Sequence, residues 1–133
     1  MSGASKVIKI AREELGYLEK ASNAQLDSKT ANAGYKNFTK YARDIDAIPH
    51  FYNGKKQGYP WCTVSLAWWF IKAFDVDEAK RLLLLPEDSL GAGVYYLKRY
   101  FKAAGQLGST PKVGAVVFFG DDHTGIVTEV VGK

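Results

Sequence analysis

The stretch Tyr59-Pro60-Trp61-Cys62-Thr63-Val64-Ser65-Leu66-Ala67-Trp68-Trp69-Phe70-Ile71-Lys72-Ala73-Phe74 decides how the rest of the chain is arranged. From Trp61 onward it is almost unbroken in apolar character and long enough for about three turns of helix. A helix apolar on every side is buried rather than amphipathic, so this segment reads as the central helix. Cys62 is the only cysteine, and it follows Pro60 by two residues at the start of that helix. The first N–H groups of a helix lack partners, and the dipole there favours negative charge. A thiol at this end is biased toward the thiolate, its reactive form. Most lone cysteines are small apolar core residues, so Cys62 needs a partner before chemistry can be read into it.

Working outward toward the N-terminus, residues 48–60 are broken by Pro49, Asn53-Gly54, Gly58 and Pro60 and form a rim beside the thiol. Trp61, Tyr59 and Gln57, on that approach, are candidate substrate contacts. A helix is expected over 35–45, with Phe38, Tyr41 and Ile45 on one side. Residues 17–34 are polar and read as a long surface loop flanking a groove. Before them, Val7, Ile8, Ala11 and Leu15 recur at helical spacing, with Ser2 or Ser5 as cap and Gly16 as stop. Lys6, Lys9, Arg12 and Glu13 occupy the wet side of that first helix.

Toward the C-terminus, Asp75 or Asp77 should cap a short helix through the leucine run 82–85, ended by Pro86. Ser89 is expected to cap a further helix through Val94, Leu97, Tyr100 and Phe101, stopped at Gly105. The period then changes. Residues 115–119 are β-branched and aromatic, 120–122 are a turn, and 123–131 are a second strand, so the two pair as a hairpin. Helices first and strands last indicate an α+β fold, with helices packed on a small antiparallel sheet.

At 133 residues the chain is sized for one domain with a proper core. One cysteine excludes an internal disulfide, and Cys62, His50 and His123 are too few for a Cys/His zinc cluster, so no metal or cofactor is expected. The N-terminus lacks the apolar core of a secretory signal, and the longest apolar stretch is shorter than the roughly 20 residues that span a bilayer. These features predict a soluble chain made in the cytoplasm, with no membrane partner. The net charge of +4 suits an anionic polymer, but no basic run alternates with aromatics, so nucleic acid is not expected as partner.

His123 starts the second strand beside a tight turn, while His50 lies in a loop next to Pro49. A thiol and an imidazole in hydrogen-bond reach form a nucleophile–base pair able to attack carbonyls at neutral pH. In their order and separation, Trp61-Cys62 at a helix start and His123-Thr124-Gly125-Ile126-Val127 after Pro111-Lys112-Val113-Gly114 resemble the two halves of CHAP domains. Residues 10–17 are similar to the first helix of phage and bacterial cell-wall amidases. CHAP domains are cysteine/histidine-dependent amidohydrolases and peptidases with a papain-like fold that cleave peptidoglycan. The resemblance implies Cys62 as nucleophile and His123 as general base. The Cys62 N–H is the implied oxyanion donor, with Gln57 or Tyr59 as a second.

The implied function is hydrolysis of a peptidoglycan amide through an acyl-enzyme, at the muramoyl–L-alanine bond or within the peptides. As an endolysin, the protein would act on the wall after release. Family members usually carry an acidic residue after the glycine that opens the histidine hairpin, where this chain has Ala115. They also continue into further strands that orient the imidazole, and the single domain expected over 1–133 lacks them. Glu129 shares the strand face of His123 but lies six residues on, about 20 Å away. The alternative expectation is a non-catalytic, truncated or redesigned CHAP-like scaffold that acts as a binding protein.

Overall fold

The computed structural model describes residues 3–110 and 112–130. Among them are α1 (Gly3–Glu13), α2 (Lys40–Asp46), α3 (Cys62–Ala73), α4 (Val76–Leu83), α5 (Val94–Ala103), β1 (Val116–Phe119) and β2 (His123–Ile126). The class is α+β, as the order of apolar periods indicated. Helix α3 is the hub, touching α1, α2, α4, α5 and β2. Its residues Val64 and Leu66 are completely buried, and around them gather Val7, Tyr41, Ile45, Phe51, Leu83 and Leu97. Withdrawing one such leucine from water contributes about 1.5–3 kcal/mol.

Local chemistry sets the boundaries of the helices, and several differ from the sequence expectation. Ser5 lies inside α1 rather than at its cap, and Ser2 falls outside the described residues. Gly16 stops the helix as expected, at φ +90°, a conformation that suits a residue without a Cβ. Leu15 does not join the buried stripe of Val7, Ile8 and Ala11. The tightened final turn leaves it 71% exposed. Helix α2 starts five residues later than expected, because Asn37 takes a left-handed φ of +62° and Thr39 caps the Ala42 N–H.

Asp75 is the cap of α4, accepting the Glu78 N–H at 2.8 Å, and Leu84 ends that helix in left-handed conformation. Ser89 does not cap α5. Its hydroxyl accepts the Gly91 N–H within a turn, and Gly93 is the residue at the helix start.

The expected surface loop over 17–34 is partly built into the molecule. Tyr17, Lys20 and Leu26 are buried, the Tyr17 hydroxyl donates to the Leu26 carbonyl at 2.6 Å, and Lys20 pairs its backbone with Phe38. The hairpin forms in the register Val116 to Ile126 and Phe119 to His123. Strand β2 is shorter than the expected 123–131. It ends at Ile126, Val127 adds two further backbone bonds to Gly114 and Ala115, and Val131 falls outside the described residues. Gly114 lets the hairpin approach α1. It sits at φ +86°, and a Cβ there would stand 2.5 Å from the Ala4 Cβ. Among the described residues, no helix is long and apolar enough to cross a membrane.

Candidate active site

Cys62 is the first residue of α3. The preceding Trp61 is the cap residue and makes no side-chain cap bond, so the helix-start N–H groups keep their donor capacity. The turn is instead fastened from below. The Ser65 hydroxyl donates to the Cys62 carbonyl at 2.9 Å, and the Thr63 hydroxyl donates to the Ala92 carbonyl. Trp61 is held on the other side by Glu19, whose Oε1 accepts the indole N–H at 3.3 Å while Oε2 accepts the Asn37 N–H at 2.9 Å. Its ring stacks on Tyr41 at 5.7 Å between centroids.

Beneath Trp61 lies a charged and aromatic layer. Glu14 accepts the Tyr41 hydroxyl at 2.9 Å and pairs with Lys40 at 2.7 Å. Burial, then the Glu14 bond and charge, pushes the Tyr41 hydroxyl far above its ordinary pKa. Tyr52, buried near Cys62, is likewise raised, first by burial and then by its Coulombic interaction with Cys62.

His123 comes from the opposite wall, at the start of β2. Its ring lies almost parallel to that of Phe119, its cross-strand partner, with centroids 5.6 Å apart. Thr124 beside it is buried and donates its hydroxyl to the Val117 carbonyl at 2.7 Å, which fixes which way β2 faces. At the turn, Lys98 of α5 reaches the Gly120 carbonyl and Asp121, at 3.4 and 3.3 Å. Asp121 is thus directed to the lysine, while Asp122 faces the same space as His123.

That space is an open cavity of about 740 Å³ between α1, α3 and β2. Cys62, Ser65 and Trp69 form the α3 wall, at positions i, i+3 and i+7 of one helix face. Residues His123 to Ile126 form the hairpin wall, Ala11, Arg12 and Leu15 the α1 wall, and Asn37, Pro60 and Trp61 the rim. The lining is mostly apolar with a few convergent polar groups, the usual character of a small-ligand site. Among the described residues, no three His, Cys, Asp or Glu side chains are grouped to hold a metal ion.

Of the residues singled out by sequence, the cavity brings together Cys62, His123 and Trp61. Gln57 and Tyr59 do not line it. The Gln57 amide is engaged with Thr39 and Asn23, accepting the Thr39 N–H at 2.9 Å, so it braces the start of α2. Tyr59 is 62% exposed beside Lys56. His50 is elsewhere, paired with Asp88 at 3.1 Å. Sequence reasoning missed Arg12, Asn37, Ser65 and Trp69. The last two could have been found by following the helix face from Cys62, whereas Arg12 and Asn37 are brought in only by chain folding.

The family model of the CHAP domain matches residues 54–133, more than half of the chain. No curated protein and no solved structure gives a match. The matched region contains α3 and the hairpin, so it carries both the cysteine and the histidine walls of the cavity. CHAP domains are in general cysteine/histidine-dependent amidohydrolases that act on the peptidoglycan of the cell wall. With the fold and the family match in agreement, the chain belongs to the CHAP-domain family of amidase and peptidase hydrolases.

Proposed function

We propose that this protein cleaves an amide bond of peptidoglycan by nucleophilic catalysis at Cys62, with His123 as general base and acid. The reading rests chiefly on one observation: the single cysteine and a strand-start histidine, from opposite layers of the fold, face one open cavity. In this mechanism His123 takes the thiol proton, and the sulfur attacks the amide carbonyl carbon. The carbonyl oxygen becomes an oxyanion held by the Cys62 N–H at the start of α3. The C–N bond then breaks, the amine leaves with the proton from His123, and a thioester remains. Water, deprotonated by His123, attacks the thioester and releases the carboxylic acid and the free thiol. Trp61 and the apolar α3 wall seat the substrate and exclude competing water.

The deciding experiment incubates purified wall material with the wild type, Cys62→Ala and His123→Ala, and counts newly released amino and carboxyl groups. The proposal expects release by the wild type, none above background by Cys62→Ala, and a loss of about 10²–10⁴-fold with His123→Ala. Iodoacetamide should alkylate Cys62 well below pH 8, and His123→Ala should return its rate to that of an ordinary thiol. Wall release by Cys62→Ala equal to wild type would refute the nucleophile assignment. A protein that binds walls without releasing either group would instead be the non-catalytic scaffold.

A further inference from the structure

We propose that the substrate groove continues from the Cys62 cavity along α1, and that Arg12, at the junction, binds a free carboxylate on the peptide part of the wall polymer. This rests on the hydrolase reading above and extends it to the class of substrate. A second cavity, of about 520 Å³, is lined by Ser5, Ile8, Lys9, Arg12, Glu13, Val113 and Thr128. Arg12 and Thr128 also line the cavity of Cys62 and His123, so the two spaces adjoin at that pair. Ser5 to Arg12 is eight residues, seven helical rises or about 10 Å of groove, with room for about three extended peptide residues beyond the catalytic cavity.

The charges along this groove select the ligand. Lys9 is neutralised by Glu13 at 2.8 Å, one helical turn along. Arg12 is exposed and forms no ion pair with a described residue, which leaves its guanidinium available where the two cavities adjoin. Asp122 faces the catalytic cavity from the hairpin, so an anionic group there is repelled from the hairpin side and drawn toward α1. A guanidinium holds a carboxylate by two parallel N–H···O bonds, a geometry that an ammonium does not reproduce. The peptides of peptidoglycan carry free carboxylates a few residues from their amide bonds, which fits the length of the groove. Arg12 also lies outside the part of the chain that the family model matches, so this selectivity belongs to the chain's own N-terminal helix.

The test measures calorimetric binding of a soluble peptidoglycan stem peptide, with its carboxyl groups free or amidated. The proteins are Cys62→Ala and the double variants that add Arg12→Gln or Arg12→Lys. Arg12→Gln should weaken binding of the free-carboxyl peptide by roughly ten- to a hundredfold and leave binding of the amidated peptide unchanged. Arg12→Lys should restore part of the loss. Equal weakening for both peptides, no weakening for either, or no binding of the free-carboxyl peptide by Cys62→Ala itself would overturn the assignment. Because this readout needs no turnover, it separates from failure of the hydrolase reading, which shows only as absent wall release by the wild type.

Discussion

The two principal walls of the active-site cavity are built on different physical terms. The α3 wall is part of the core, with Thr63 to Trp68 all buried and the first turn tied down by Ser65 and Thr63. The hairpin wall is two four-residue strands, in which Phe119 and His123 are exposed and Thr124 is the buried exception. An apolar interior is densely packed and locates a side chain closely, whereas an isolated two-stranded hairpin is marginal without a face to lie on. The cysteine is therefore positioned by the core itself, and the histidine by how the hairpin docks on α1 and α3. Stability and site geometry should respond to different substitutions in the two walls.

The strongest way to break the contrast is Leu66→Ala, which empties the centre of α3. Chemical denaturation should register a loss of about 2–5 kcal/mol, with activity per folded molecule largely kept because Cys62 stays at its helix start. An equal fall in activity per folded molecule would mean that the α3 wall is no more rigid than the hairpin.

The helical side also has an internal test. It carries the two buried side-chain polar atoms without a partner among the described residues, Lys20 Nζ and Trp69 Nε1. Lys20 is 0% exposed, lies over the Tyr17 ring at 4.7 Å, and has its pKa lowered first by burial and then by the charge of Lys40. A cation so placed costs stability, and Lys20→Met should raise the melting temperature by about 3–6 °C near neutral pH. The sign with pH follows from the lowered pKa. Between the depressed folded value and the ordinary 10.5, the unfolded chain holds the proton that the folded chain has released. Wild-type stability therefore rises with pH through that window, and the advantage of Lys20→Met shrinks as pH approaches 10. An advantage independent of pH would show that burial of the charge is not its source.

The smallest effect on stability falls on the hairpin. Thr124→Val keeps the shape and loses the bond to the Val117 carbonyl, at a cost of about 0.5–1.5 kcal/mol. Wall hydrolysis should nevertheless fall more than the folded population does, because His123 is the adjacent residue. Activity that simply follows the folded fraction would place the histidine under the control of some other contact.

How much could be read without coordinates differs along the chain for the same reason. Helix α3 was legible because a continuous apolar run has one stable location, and Gly16 and Asp75 mark boundaries by their own local chemistry, a left-handed backbone and a capping carboxylate. Thr39 went unread as the cap of α2, since Phe38 and Tyr41 suggested an earlier start, and the left-handed φ of Asn37 is not visible in a periodic pattern. Ser89 was read as a cap on residue type alone, although its hydroxyl serves a local turn. Gln57 looked like a substrate contact because it precedes the cysteine closely. Its amide is consumed by Thr39 and Asn23, residues at least 18 positions earlier.

By itself the sequence determined the α+β class, the buried helix that begins at Cys62, and the short hairpin that begins its return at His123. Those features follow from local periodicity, turn residues and apolar burial, which act over a few neighbouring residues. Only the tertiary structure decided that α1 closes one side of the cavity and that Arg12 lines both it and a second space. It also decided that Glu19 steadies Trp61, and that a lysine is sealed beneath the loop over 17–34. Such contacts join residues tens of positions apart, and the energy that selects them comes from packing the whole core rather than from any one segment's preference.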